Sequence, residues 1–406
     1  MKSIISLYKS AFGGLSASTW MLALVIFINR SGTMVIPFLS IYLTTSLGFS
    51  LVETGWVMSA FGLGAIGGGF IGGWLTDKIG PFKVQTFSLI AGGFMFFALS
   101  QVHSFYSISA FIFCVSLVSE MLRPANQISV ASFAKPENIT RALSLNRMAI
   151  NLGFSFGPAL GGLLAALSYD WLFIADGVTC ILAGIVFFFY FRNQKGTRPN
   201  VEEKGTIPIA SKSVWSDGLF IGFIALVIGF AMMFFQIFST WPLYQREVFQ
   251  LQEQEIGLLL GLNGLIVFLF EMILVYKIGD RFQIRKLMAF GSFLMGLAFL
   301  MLYGFETKWA LYGACILISF AEIFAMPFMA TYTIQKSGEK NKGAYMGLYS
   351  VAFASAFVLA PLIGTNVIAA WDFQSWWLIV GGMALGVGIG FLVLLRNKIA
   401  PIPEIH

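Results

Sequence analysis

Two charges interrupt the apolar run between Phe105 and Phe133: Glu120 and Arg123, in the stretch SLVSEMLRPANQ. Three apart on a helix, they share one face, and Gln127 falls two turns from Glu120 on the same stripe. A second apolar stretch, INRSGTMVIPFLSIYL, holds Arg30 beside Asn29. Glu271 and Glu322 lie inside further apolar runs, each without an obvious basic neighbour. Such residues support ion pairing, a grip on a polar solute, and uptake and release of protons. Arg30, Glu120, Arg123 and Gln127 are candidates for a switchable ion network that also orients a solute. Glu120, Glu271 and Glu322 are candidates for carrying a coupling proton. Plainer readings stand beside these. Glu120 and Arg123 could be a structural pair that cancels its own charge, and Glu271 could reach toward its helix end near Lys277. Arg147 and Asn151, one turn apart, read as interface residues, and Asp176 as a packing or rim residue.

The elements that hold these residues are membrane helices. Of the 406 residues, 58% are apolar and only 11% charged, where a soluble chain carries about 25% charged residues. Mean hydropathy is +0.82. Runs long enough to cross a bilayer at about 1.5 Å per residue recur along the chain. The reading gives twelve spans, roughly 17–44, 51–75, 82–101, 105–134, 139–167, 171–191, 217–245, 255–277, 286–304, 309–335, 343–369 and 375–395. Residues 1–16 read as a short interfacial helix. The polar, Pro- and Gly-containing stretch 192–213 reads as a linker. It separates an N-terminal bundle (1–191) from a C-terminal one (214–406).

Charge sets the expected topology. With the N-terminus in the cytoplasm, 20 of the 25 Lys and Arg fall in cytoplasmic segments, two outside (Arg246, Lys308) and three within spans (Arg30, Arg123, Arg147). That asymmetry follows the positive-inside rule and places both termini in the cytoplasm. The net charge of +6 thus belongs to short loops and does not point to nucleic acid. The three cysteines fall in separate spans, so packing thiols are expected rather than a disulfide or metal framework.

The two halves repeat. Asp280 follows Asp77 by 203 residues, Glu322 follows Glu120 by 202, and Pro327 and Pro361 follow Pro124 and Pro158 by 203 each. Six spans followed by six in the same orientation form a parallel repeat. Its axis runs along the membrane normal and its halves enclose a site near the midplane.

These residues resemble the major facilitator superfamily over nearly the whole chain. GGWLTDKIGPFK resembles the loop signature between the second and third spans, through Gly73, Asp77, Lys78 and Gly80. Pro81 departs from it, and the second copy, with Asp280 and Arg281, has Tyr276 and Gln283 in place of glycines. The resemblance implies a cytoplasmic latch in which Asp77 meets the positive end of the eleventh helix near Gly343. RPANQ resembles the fourth-span motif through Arg123, with Asn126 and Gln127 departing from its Gln-Gly. GFSFGPALGG resembles the fifth-span motif of the family's exporters through Gly153, Gly157, Pro158, Gly161 and Gly162. There glycines permit close packing and the proline bends the helix. The fold implied is all-α and integral to the membrane, with twelve transmembrane helices in two six-helix bundles related by pseudo-two-fold symmetry. Its first and fourth spans would line the cavity, which brings Arg30 and Arg123 around Glu120.

Three matches mislead. GLGAIG (Gly62–Gly67) fits a dinucleotide loop but lies inside a span, so its glycines make a packing face. GFSFG fits a nucleophile elbow, but Ser155 has no histidine partner. NIT (Asn138–Thr140) is a glycosylation sequon on the expected cytoplasmic side. No P-loop occurs and no catalytic constellation is present, which argues against an enzyme. Tyr42, Phe235, Trp241 and Tyr244 are candidates to line an aromatic cavity.

The expectation is a secondary active transporter in the cytoplasmic membrane of a bacterium. It would be monomeric, without cofactor or metal, and would export amphipathic small molecules in exchange for protons by alternating access. The alternative is a proton-coupled importer of a zwitterionic nutrient such as short peptides. It draws on the basic first half, the acidic second half, and a faint likeness of the first span to the peptide-transporter motif, from which Asn29 departs.

Overall fold

The computed structural model describes residues 13–135, 138–194, 214–278, 281–337 and 342–396. Twelve helical spans among them are long and apolar enough to cross a membrane. In order they are Ala17–Ser46, Leu51–Ile79, Pro81–Leu99, Phe105–Phe133, Arg141–Ala165, Asp170–Phe191, Gly218–Glu247, Glu253–Val275, Ile284–Gly304, Lys308–Ser337, Ala344–Ala370 and Phe373–Leu394. All lie within a few residues of the expected bounds. Residues 1–12 of the interfacial helix, 195–213 of the linker, and Asp280 of the second latch copy fall outside the described residues.

Local chemistry sets the helix ends. Ser50 and Glu53 form a capping box at the start of the second span, and Asp217 and Asp372 accept the N–H groups of Phe220 and Ser375. Such acceptors satisfy donors that the first helical turn leaves free. Gly80 takes φ +87°, which an L side chain resists. That turn lets Pro81 open the third span at a position where a missing N–H costs nothing.

Side-chain packing repeats in both halves. The second span packs on the fourth, the third on the sixth and the first on the fifth. The eighth packs on the tenth, the ninth on the twelfth and the seventh on the eleventh. Gly64, Gly68 and Gly72 lie directly against Phe113, Leu117 and Met121 of the fourth span. With lipid on the outside, such close approach supplies the dispersion contacts that hold helices together.

The halves meet through the second span against the eleventh and the fifth against the eighth. The closest contacts lie toward one face of the molecule. Gly55 abuts Pro361 and Thr365, Gly62 abuts Val358, and Gly162 abuts Glu253 and Gly257. Toward the other face, which carries the basic loops, the spans diverge: Gly69, Gly73 and Gly347 each have nothing within 4 Å of where a Cβ would stand. The chain is therefore closed at one face and open at the basic face.

Three spans are interrupted. The first is helical over Ala17–Ser31, breaks at 32–34, resumes over Val35–Ile41 and ends in a π-helical turn, Tyr42–Ser46. The seventh passes through a 3-10 turn, Phe235–Phe238, before Thr240–Glu247. The fourth divides into Phe105–Glu120 and Leu122–Phe133. Pro37, Pro124 and Pro242 remove the N–H groups that would bond Thr33, Glu120 and Phe238, so each break lies where a carbonyl has lost its partner.

Candidate functional site

The break in the first span sets the site. Gly32 through Met34 leave the helix, and the N–H groups of Met34 and Val35 turn toward the sixth span. Asp176 accepts both, one on each carboxylate oxygen, at 2.9 and 3.1 Å. The sixth span grips the same segment twice more: Asn29 donates to Cys180 Sγ at 3.2 Å, and Gly32 lies directly against Thr179. On the opposite flank, Gly153, Gly157 and Gly161 of the fifth-span motif seat Arg30, Thr33 and Met34. Gly162 and Pro158 of the same motif meet the eighth span. One motif thus fixes both the broken helix and the contact between halves.

Arg30, the last basic residue before the break, is held deep. Its side chain is 14% exposed, and its Nη1 lies 3.9 Å from Glu120 Oε1. Glu120 in turn lies 3.2 Å from Arg123 Nη2. The guanidinium of Arg30 also sits over the Phe154 ring at 5.8 Å, near the limit for a cation–π contact. Arg30 Nε is buried without a hydrogen-bond partner among the described residues. Arg123 is the open member of the trio, with 68% of its side chain exposed. A cavity of roughly 50 Å³ lies beside them, lined in part by Arg30, Thr33, Ser88, Ser119, Glu120 and Asp176. Ile36, Phe61, Leu89, Phe96 and Leu122 supply an apolar part of its wall.

Gln127 does not join this trio. It is exposed and makes no hydrogen bond to a described residue. Asn126 points inward instead. It accepts from Gln85 at 3.2 Å and donates to Asn146 at 3.0 Å, and Ser129 donates to Gln85 at 3.0 Å. This chain of amides ties the third, fourth and fifth spans together.

Glu271 differs from expectation too. It has a base, supplied by the other half: Arg147 pairs with it across the bundles, and Asn151 donates to it at 2.9 Å. Sequence spacing could not show this, since the partners are more than 100 residues apart. Arg147 also lies within electrostatic reach of Glu322 and Tyr349, and Glu322 neighbours Asn263. Arg147 is thus ion-paired with Glu271 alone of the two acids, and Glu322 lies beyond ion-pair distance.

The described latch residues lie at the surface of the basic face. Asp77 is exposed, and no ion pair or hydrogen bond joins it to the described part of the eleventh span. The expected partner, the start of the eleventh span near Gly343, borders residues outside those described. Lys78 stacks over Trp74 at 3.9 Å, and Arg281 is exposed. Two of the aromatic candidates also differ: Trp241 and Tyr244 are fully buried. Tyr244 packs against Phe249, Phe373 and Trp377 and closes the core of the second half. Tyr42 is nearly buried, against Tyr169 and Phe173.

At the closed face a polar tie spans the halves. Tyr169 donates to Glu253 Oε1 at 2.9 Å, and Arg246 lies 3.5 Å from the same carboxylate. Burial, reinforced by the Glu253 charge, pushes the Tyr169 phenol well above its ordinary range. The proton that makes this bond therefore stays in place at physiological pH.

Two helical repeats packed face to face, with charged groups gathered at their interface, define a membrane transporter of the twelve-span kind. The sequence profile described as Major Facilitator Superfamily matches residues 19–361 and 237–404, and the chain belongs to that family. Among curated relatives, an uncharacterised superfamily transporter of Bacillus subtilis, YttB, is 26% identical, over 84% of this chain and 86% of its own. A Na(+), Li(+), K(+)/H(+) antiporter of Planococcus maritimus is 22% identical, over 90% and 92%. The quinolone resistance protein NorA of Staphylococcus aureus is 24% identical, over 81% and 84%. Among solved structures, a POT family transporter in complex with 5-aminolevulinic acid superposes with a TM-score of 0.79 at 17% identity. It covers 94% of this chain and 96% of its own. The nucleoside transporter NupG superposes with a TM-score of 0.76 at 15% identity, over 93% and 99%. At these identities the superpositions establish the fold alone. The family is one of transporters, and the chain is not an enzyme.

Proposed function

We propose that the chain is a proton-coupled antiporter that exports amphipathic small molecules by alternating access, with its basic face in the cytoplasm. Residues 1–191 and 214–406 act as two rocking bundles joined by the 192–213 linker. The single observation that carries this reading is the pairing of Arg147 with Glu271 across the halves, with Glu322 in reach of the same guanidinium. The group holds one more acid than base, the balance a one-proton exchanger needs, and it bridges the bodies that must move. Protonation of either acid would free Arg147 to the other and change what holds the halves together. Arg30, Glu120 and Arg123 form the first-half counterpart that orients substrate. Gly73, Asp77, Lys78 and Gly80 would latch the basic face when it closes, with Asp280 and Arg281 as the second copy. Relatives named for drug resistance and for cation/proton antiport agree in kind.

A second reading is proton-coupled import of a zwitterionic nutrient such as a short peptide. The observation favouring it is charge placement: Arg30 and Arg123 stand in one half, Glu271 and Glu322 in the other. A flux assay in proteoliposomes with an imposed pH gradient separates the two. Ethidium and a quinolone probe the first reading, and a labelled dipeptide the second. Export predicts uphill movement of the drugs driven by protons and none of the dipeptide. Glu120→Gln, Glu271→Gln and Glu322→Gln all transporting uphill at normal rates would refute proton coupling through these acids.

A further inference from the structure

The buried carboxylate of Asp176 is absorbed by neither the ion network nor the acids proposed to carry the coupling proton. It is 2% exposed and engages the backbone of a different span, 141 and 142 residues away in sequence. The break it holds lies just after Arg30, and its cavity is the one that Arg30 and Glu120 line. The charged and titratable groups around it are Arg30 from the first span, Glu120 from the fourth and Cys180 from its own. The third span contributes Ser88 to the cavity and the second Phe61.

The other half builds the same break without a charge. In the seventh span Gln236 Oε1 accepts from Thr240 at 2.6 Å and from Trp376 Nε1 of the twelfth span at 3.3 Å. There an amide inside the break gathers two side-chain donors, where here a carboxylate from another span takes two backbone N–H groups; neither the amide nor the indole titrates in water. The asymmetry is chemical. A carboxylate accepts two backbone N–H groups at once, one per oxygen. Once protonated, one oxygen becomes a hydroxyl that donates, and one of the two N–H groups loses its acceptor.

We propose that Asp176 is a positioning residue that sets Arg30 through the break in the first span, and that protonation of Asp176 releases this clamp and biases which face of the transporter is open. Asp176 and Glu120 line the same small cavity, so the two carboxyls share one environment. The proposal rests on the reading of the chain as proton-driven, but its test does not depend on substrate.

Spin labels at Lys83→Cys and Lys286→Cys, with Cys114→Ala to remove the exposed native thiol, report the separation of the two bundles at the basic face. Both lysines are exposed and lie outside the machinery described above. The distance distribution is recorded from pH 5 to pH 8 in nanodiscs. The expected result is a pH-dependent shift in the otherwise native chain, with Asp176→Asn holding at pH 8 the distribution that the native chain reaches only at pH 5. The exposed Asp170→Asn leaves the titration unchanged. An Asp176→Asn titration that overlays the native one, or a native distribution that does not move with pH, overturns the proposal. Should Asp176→Asn fail to fold, Asp176→Glu keeps the charge on a longer stem: a displaced midpoint supports the clamp and an unmoved one overturns it. A failure of the flux variants Glu120→Gln, Glu271→Gln and Glu322→Gln to alter coupling, with this titration intact, would instead count against the proposed function alone.

Discussion

Ser59 of the second span donates its hydroxyl to the carbonyl of Val358 in the eleventh at 2.8 Å, and Ser155 of the fifth donates to Gly261 of the eighth at 3.1 Å. The two bonds are images of each other. Val358 follows Ser155 by 203 residues and Gly261 follows Ser59 by 202, so the donor sits in the first half each time and the acceptor in the second. They pin two crossings where backbones nearly touch. Gly257 lies against Pro158 and Gly162, which leaves no room for a side chain. Gly257→Val should destabilise the fold by about 1–3 kcal/mol, the usual cost of overpacking. A thermal unfolding midpoint in detergent equal to that of the native chain would contradict the packing described.

Breaking the pair across the halves should impair transport without unfolding the protein. Arg147→Ala and Glu271→Ala are each expected to slow uphill flux at least about tenfold, a loss of about 1.4 kcal/mol or more in the limiting step. The exchange Arg147→Glu with Glu271→Arg restores opposite charges and should recover part of the rate. Additive losses in the double variant would show that the two residues act separately.

Tyr169→Phe removes one charge-assisted bond from the tie at the closed face, worth about 1.5–3 kcal/mol when made to an ionised group. The chain should then populate the state open at that face more often. Alkylation of a cysteine placed near Tyr42 would report it: the rate should rise in Tyr169→Phe and stay unchanged in a surface control such as Gln250→Ala.

Asp217 joins three spans at the basic face, since Lys336 and Tyr345 both reach its Oδ2 at 3.0 Å. Partial burial opposes its ionisation, but the bonds from Lys336, Phe220 and Tyr345 outweigh that and hold its carboxyl below the ordinary range. A lowered acid contributes stability that is present above its unfolded value, about 3.9, and is lost as pH falls through the folded one. Asp217→Asn should therefore lower the unfolding midpoint at pH 7, and the difference from the native chain should shrink as pH falls through the lowered value. Equal midpoints at pH 7 would remove Asp217 from the account.

The spans were legible because lipid tolerates so few sequences: long apolar runs admit one structure, and the repeat of Asp77 and Pro158 in the second half pointed to two bundles. The meeting of Arg30 with Glu120 was also legible, through the family likeness. What was not legible depends on tertiary contact. Nothing near Glu271 reveals Arg147, and nothing near Asp176 reveals the amides of Met34 and Val35. The breaks left a partial signal in Pro37, Pro124 and Pro242. Yet Pro158, Pro327 and Pro361 lie inside continuous helices, so proline alone does not decide. Gln127 has no hydrogen-bonding partner among the described residues, which a helical wheel, showing only faces, does not reveal.

The crossing of Gly162 over Gly257 lies close to one end of the fifth span, which gives the molecule unequal lever arms. From there to the basic face the helix runs on for about 20 residues, or about 30 Å at the usual rise. A tilt of about 10° about that fulcrum sweeps the far end by about 5 Å while the near end barely stirs. If the bundles rock as proposed, a small angular slip at a glycine seam would open and shut a wide mouth on the far side.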